Sequence, residues 1–268
     1  GYFDYPPLFL ILLSFFPSKI LFKIQGFISP FFDALQNFVV FLIAYQLTQN
    51  LTLAFISQLA YTLTPISALE NSSLLSRSMG YLLFTLSFYF LILFTTITPL
   101  NPLFLVLGIF FSSLTLLTHK FAAQSLFFIN IFFTILERNV LYLNAFILSM
   151  FLAVILSKGY YIRVLRSHIT IILFWIKHYK LRFSHQVYGV VPLSKNPDLI
   201  VAIYRLLSNF APITLLALNI WVLPAFFYLL EFISPINPIY MKMALWVVFF
   251  YILGVLVLSI KRLTPIGE

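Results

Sequence analysis

Unbroken apolar runs of about 16–22 residues follow one another along most of this chain, each near the length an α-helix needs to cross a hydrocarbon core of about 30 Å. The pattern predicts spans over 27–47, 51–68, 81–97, 103–118, 121–136, 140–157, 209–230 and 240–260. Breaks fall at Thr48-Gln-Asn50, between Glu70 and Arg77, and at Thr98-Pro-Leu-Asn-Pro102. Others fall at Thr118-His-Lys120, Glu137-Arg-Asn139 and Ser234-Pro-Ile-Asn-Pro238, where asparagine or proline supplies much of the turn chemistry. A membrane β-barrel would instead alternate apolar and polar positions over segments of about ten residues. The expected fold class is therefore all-α: a polytopic transmembrane bundle of about eight or nine segments.

Two stretches break the rhythm. In 6–24, Pro6-Pro7 opens an apolar run that Pro17-Ser-Lys19 interrupts, so the segment either crosses the membrane or lies along its surface. In 168–182 a short apolar run ends in Trp175 and gives way to Lys177, Lys180 and Arg182, the composition of an interfacial segment. The chain is then organised as one transmembrane domain over 1–268. It comprises a Pro-Pro-Leu segment (1–26), core spans (27–157), a basic membrane-surface loop (158–208) and C-terminal spans (209–262). A start at Gly1 and a stop at Pro265-Ile-Gly-Glu268 are expected of a piece of a longer protein.

Composition narrows the class further. With 62% hydrophobic, 19% aromatic and 9% charged residues in 268, there is too little polar surface for a water-soluble globule, where about 25% charged is usual. An integral membrane protein of a prokaryotic cytoplasmic membrane or the endoplasmic reticulum is the expectation. Cysteine is absent, so disulfides, thiol nucleophiles and cysteine metal sites are excluded.

The net charge of +9 is unevenly spread. Lys158, Arg163, Arg166, Lys177, Lys180, Arg182, Lys195 and Arg205 are half of the basic residues, and Asp198 is the one acid among them. Tyr160, Tyr161, Trp175, Tyr179 and Tyr188 interleave with them, which points to anionic lipid headgroups beside 158–205 rather than to nucleic acid. If 6–24 crosses, Lys19, Lys23, Arg77, Lys120, this cluster and Lys261-Arg262 share one side, as the positive-inside pattern favours. If it does not cross, Arg77 shares the side of Asp4.

Candidate chemistry is sparse. Eight scattered glycines form no phosphate loop, and His119, His168, His178 and His185 lack metal-ligand spacing. Asp4, Asp33 and Asp198 are too far apart to hold a magnesium pyrophosphate, so no metal and no cofactor is expected. Asp4 suits a helix start, while Asp33 falls inside a span, where a charge is costly. Glu70 and Arg77 bracket a polar loop, and Arg77 is either a plain loop charge or an anion binder. Glu137-Arg138 reads as a turn pair, and Glu231 as a solvated span end.

Asp4 followed by Tyr5-Pro-Pro-Leu-Phe9 resembles the Pro-Pro-Leu element of GT-C-type glycosyltransferases, a group that includes protein O-mannosyltransferases and lipid A aminoarabinose transferases. The order that follows is similar too: Asp33-Ala-Leu35 in a span, then a span ending Leu63-Thr-Pro65, then a polar loop with Arg77. Leu114-Thr-Leu-Leu-Thr-His-Lys120 resembles the Leu-Thr-Lys helix end of that family, and Gly267-Glu268 the opening of its Gly-Glu-x-x-Arg-Tyr element. The resemblance covers most of 1–120.

It implies a sugar donor on a polyprenyl phosphate, a protein, lipid or glycan acceptor, and a site on the extracytoplasmic side with 6–24 at that surface. It further implies a supporting role for Asp4 and lipid-phosphate contacts from Arg77 and Lys23. The family's principal carboxylate precedes the Pro-Pro-Leu element and so falls outside this chain. The alternative is a transporter or lipid-handling protein without bond chemistry, its path lined by Asp33, Glu231 and the broken 199–230 segment with Arg205, Pro212 and Pro224.

Overall fold

A computed structural model of the chain describes residues 5–64, 74–97, 101–188, 215–216, 219–230 and 238–259. Ten α-helices form among them. These are α1 (Leu8–Ser14), α2 (Ser18–Thr48), α3 (Leu51–Thr62), α4 (Arg77–Ile92) and α5 (Pro102–Leu116). They continue as α6 (Lys120–Glu137), α7 (Leu141–Leu156), α8 (Tyr160–Tyr188), α9 (Val222–Leu229) and α10 (Pro238–Ser259), and a π-helical turn, Leu93–Ile97, extends α4. The fold is all-α.

Three helices, Ser18–Thr48, Arg77–Thr95 with the start of the π-turn, and Lys120–Glu137, are long and apolar enough to cross a membrane. A fourth span results if Leu141–Leu156 and Tyr160–Phe174, bent by 120°, are taken together. Leu51–Thr62, Pro102–Leu116 and Tyr240–Leu256 are apolar but shorter. The apolar runs 51–68 and 103–118 outlast their helices at the C-terminal end, at Thr62 and Leu116, while capping sets the starts where the runs begin. Asn50 Oδ1 accepts from Leu53 N–H at 3.1 Å, and Asn101 Oδ1 from Leu103 N–H at 3.1 Å with Pro102 at the first helical position.

The 6–24 stretch is not one span. It is a seven-residue helix, about 10 Å long at 1.5 Å per residue, that stops before Pro17. From Ser18 the chain continues into the 31 residues of α2, with Pro30 inside. The 168–182 stretch lies within helix α8.

The chain divides into two compact units, Gly1–His168 and Ile169–Glu268. In the first, side-chain contacts fix the helix directions. Ser29 Oγ accepts from Leu75 N–H at 3.1 Å and Gln36 Nε2 donates to Thr85 Oγ1 at 2.6 Å, so α2 and α4 run parallel. Tyr61 O–H donates to Asp33 Oδ1 at 2.7 Å while Phe41 meets Phe55 at 5.1 Å, so α3 returns antiparallel to α2. Phe90 lies 6.1 Å from Phe104, the Ser87 and Ser112 hydroxyls are hydrogen-bonded, and α5 is antiparallel to α4. Phe88 to Phe133 at 5.0 Å sets α6 parallel to α4, and Phe133 to Tyr142 with Phe127 to Phe146 sets α7 antiparallel to α6.

The starts of α2, α4 and α6 therefore share one end of this bundle, and the starts of α3, α5 and α7 share the other. Helix α1 is held at the first end. Phe9 is buried against Met79 and Leu83, with Ile28, Phe32, Phe111 and Leu114 around them.

In the second unit, α9 and α10 pack together. Gly254 lies so near Leu215 that an added Cβ would sit 3.2 Å from Leu215 Cδ1, and Trp246 and Phe250 pack at 3.7 Å between ring centroids.

Candidate anion site at one end of the helical bundle

The site is built where α4 and α6 begin. Gly80, in the first turn of α4, lets the backbone approach the turn between α5 and α6: a Cβ there would fall 2.6 Å from His119 Cβ and 3.3 Å from Ala122 Cβ. This closeness brings two helix N-termini side by side. Arg77 is the first residue of α4 and Lys120 the first of α6. The Arg77 guanidinium lies 5.4 Å and the Lys120 ammonium 4.8 Å from the centroid of one ring, Phe121.

The electrostatics of this arrangement run against local preference. A helix start carries about half a positive charge and favours acids, whereas α4 and α6 each begin with a cation and have no acid in the first turn. Neither Ser76 nor His119, the N-cap residues, caps its helix through its side chain. The Ser76 hydroxyl is instead paired with the Tyr5 hydroxyl at 3.1 Å. Two aligned helix dipoles and two cations thus meet at this end, the elements from which an anion site can be built.

His119 completes it. The residue is 5% exposed, and its ring packs edge-on to Phe121 at 5.4 Å and to Tyr81 at 6.2 Å. Its Nδ1 is buried with no hydrogen-bond partner, as is Nε2 of His168. Burial first, then the positive charges of Arg77 and Lys120, push the His119 imidazole down to about 3, so it is neutral at physiological pH.

The Pro-Pro-Leu segment docks on the same end. Leu8 N–H donates to the Leu117 carbonyl at 2.9 Å, and Tyr5 reaches Ser76, the neighbour of Arg77. Arg77 and Tyr5 thus share one face, the arrangement expected when 6–24 does not cross. Asp4 lies outside the described residues. Lys23 is exposed, six residues before Ser29 on α2, about 9 Å along the helix at 1.5 Å per residue, and it is not among the residues gathered on Phe121. Glu231, Arg205 and Pro212 also fall outside the described residues, and Pro224 is exposed on α9. Asp33 accepts the Tyr61 hydroxyl between α2 and α3. Glu137 and Arg138 lie at the opposite end of the bundle, where Arg138 ends α6 in the left-handed region at φ 51°.

No family model, curated protein or solved structure matches this chain. Among the described residues, no group of three or more metal-ligating side chains occurs. Sequence reasoning singled out Arg77 but passed over Lys120, Phe121 and His119 as site residues. The one signal available was the Thr118-His-Lys120 break, a histidine and a lysine at a helix start where acids are favoured.

Proposed function

We propose that this chain is the membrane part of a glycosyltransferase with about eight or nine membrane segments. It moves a sugar from a polyprenyl-phosphate-linked donor to a protein, lipid or glycan acceptor on the extracytoplasmic side. The observation that carries this reading is the convergence of Arg77, Lys120 and two side-chain-uncapped helix starts on Phe121, at the end where the Tyr5-Pro-Pro segment docks. Such an end suits a phosphate held at a membrane boundary.

In the proposed reaction an acceptor hydroxyl attacks the anomeric carbon of the sugar. The bond from that carbon to the phosphate oxygen breaks, and its electron pair leaves with the phosphate. A carboxylate base takes the hydroxyl proton; Asp4 assists or orients the acceptor. The departing phosphate gains negative charge, and Arg77 and Lys120 stabilise it by charge-assisted hydrogen bonds. Lys23, farther along α2, serves the approach of the lipid phosphate. Holding a lipid-borne donor and a water-borne acceptor at one boundary supplies the proximity contribution.

A second reading is favoured by charge alone. Lys19, Lys23, Arg77, Lys120 and Lys158 all fall toward this same end, the distribution usual for a cytoplasmic face. A transporter or lipid-handling protein would take that orientation.

Sidedness separates the two. The chain has no cysteine, so Lys158→Cys and Arg138→Cys, both exposed and at opposite ends, can be labelled singly in intact cells with a membrane-impermeant maleimide. Labelling of Lys158→Cys from outside, with Arg138→Cys protected until permeabilisation, is the expected result. The reverse pattern overturns the glycosyltransferase reading.

A further inference from the structure

We infer that His119 makes this end of the bundle a discriminator between phosphate charge states: neutral beside a phosphodiester, protonated beside a phosphomonoester dianion. The inference rests on the proposed polyprenyl-phosphate reading. There the sugar donor is a diester with one negative charge and the departing lipid phosphate is a monoester with two. His119 would bind donor and product differently and couple product release to pH.

The geometry comes first. The His119 ring lies against Phe121, the ring that also carries Arg77 and Lys120, and its buried Nδ1 has no hydrogen-bond partner. A buried polar nitrogen left unsatisfied is costly, and a phosphate oxygen beside the two cations would satisfy it. Gly80 holds α4 against His119 so closely that the imidazole's backbone position is fixed relative to the start of that helix. Among the described residues, the titratable groups facing His119 are Arg77 and Tyr81 on α4, Lys120 on α6 and His168 on α8.

The magnitudes then decide which ligand protonates it. With burial, Arg77 and Lys120 acting on it, the imidazole starts at about 3. A single negative charge about 4 Å away, at an effective dielectric near 20, raises a proton's affinity about a thousandfold, and two such charges about a millionfold. The first increment leaves His119 neutral at pH 7.5; the second protonates it. A proton gained on the imidazole adds a third cation to the dianion's shell, which is then lost when the pH rises.

The test uses the full chain in lipid nanodiscs at pH 7.5 with two probes, farnesyl phosphate and its methyl diester. Calorimetric titration in buffers of different ionisation enthalpy gives the protons taken up on binding. Because any proton change on the free ester is common to both proteins, wild type minus His119→Gln isolates the histidine. The expected difference is close to one proton for the monoester and none for the diester.

In parallel, histidine nitrogen resonances of the wild-type chain report the same event without any substitution. One of its four histidines should take on an imidazolium signature with the monoester alone. Equal uptake in H119Q, or no histidine response to a bound monoester, overturns the inference while leaving the glycosyltransferase reading intact. Failure of wild type to bind either ester overturns both.

Discussion

The two ends of the first unit solve the same structural problem in opposite ways. At the far end, Asn50 caps α3 and Asn101 caps α5 through their side chains, and α7 starts after Val140, with Asn139 Oδ1 accepting from Leu141 N–H at 3.0 Å. At the basic end, α2, α4 and α6 begin at Pro17, Ser76 and His119, and none of the three supplies a side-chain cap. Caps worth about 1 kcal/mol each are absent from α4 and α6, where Arg77 and Lys120 stand at the first helical position instead. Departures from local preference tend to gather at functional sites; the two uncapped cationic starts lie together at the basic end, while the far end has left-handed Gln49 and Arg138 closing α2 and α6. The proposed anion site lies at the basic end.

Charge removal should separate the ends most strongly. Arg77→Ala or Lys120→Ala in the full-length gene product is expected to lower sugar transfer from a polyprenyl-phosphate donor by about a hundredfold or more, as for loss of one transition-state donor. Arg138→Ala, at the opposite end, should stay within about twofold. Transfer rates measured with a radiolabelled donor check this, and equal losses at both ends would remove the functional distinction between them.

Packing gives the next contrast. Gly80→Ala sets a Cβ 2.6 Å from His119 Cβ, which neither backbone can relieve cheaply, whereas nothing lies within 4 Å of a Cβ at Gly26. Gly80→Ala should cost about 1–3 kcal/mol by overpacking. Gly26→Ala, in the exposed interior of α2, should gain up to about 1 kcal/mol. Thermal unfolding in detergent distinguishes them, and a Gly80→Ala protein as stable as wild type would mean that the α4 contact with the α5–α6 turn is not tight.

Much of this architecture can be read from the residues, because the breaks carry their own chemistry. Asn50, Asn101-Pro102 and Asn139 mark helix starts at the far end, and Pro17 marks the start of α2. Helix length is another matter. Apolar residues fill the runs of α3 and α5 whether or not they are helical, so hydropathy alone does not reveal that these helices end after 12 and 15 residues. The site was legible only in part for a similar reason. Arg77 stands out as a charge in a polar loop, but Phe121 is one phenylalanine among 33 and gains meaning only when α4 and α6 are set side by side. The dense basic stretch after Lys158 draws attention by being contiguous, whereas the site's cations come from two separate helix starts. His119 was set aside for lacking metal-ligand spacing, yet its neighbours are cations, which suits an anion rather than a metal.

The pH response of stability should also be traceable to the basic end. His119 is held at about 3 in the folded chain against 6.5 unfolded, so the unfolded chain binds more protons between these values. The stability His119 contributes is therefore complete above about pH 6.5 and declines as the pH falls toward 3. Between pH 6.5 and 5 the loss from this group is about 2 kcal/mol. Unfolding midpoints should fall over that window in wild type and fall less in His119→Gln. An identical slope in the variant would show that His119 is not the group being protonated.

The smallest effect sharpens the comparison from the capped end. Asn101→Ala should cost about 1 kcal/mol of stability by leaving the Leu103 N–H without its acceptor. A bound anion stabilises a protein in proportion to the logarithm of its concentration over its dissociation constant. That increment, measured as the rise in unfolding midpoint on adding farnesyl phosphate, should be the same in Asn101→Ala as in wild type and absent in Arg77→Ala. If the asparagine variant lost the increment too, the two ends would be coupled through α5, and the anion site could not be assigned to the starts of α4 and α6 alone.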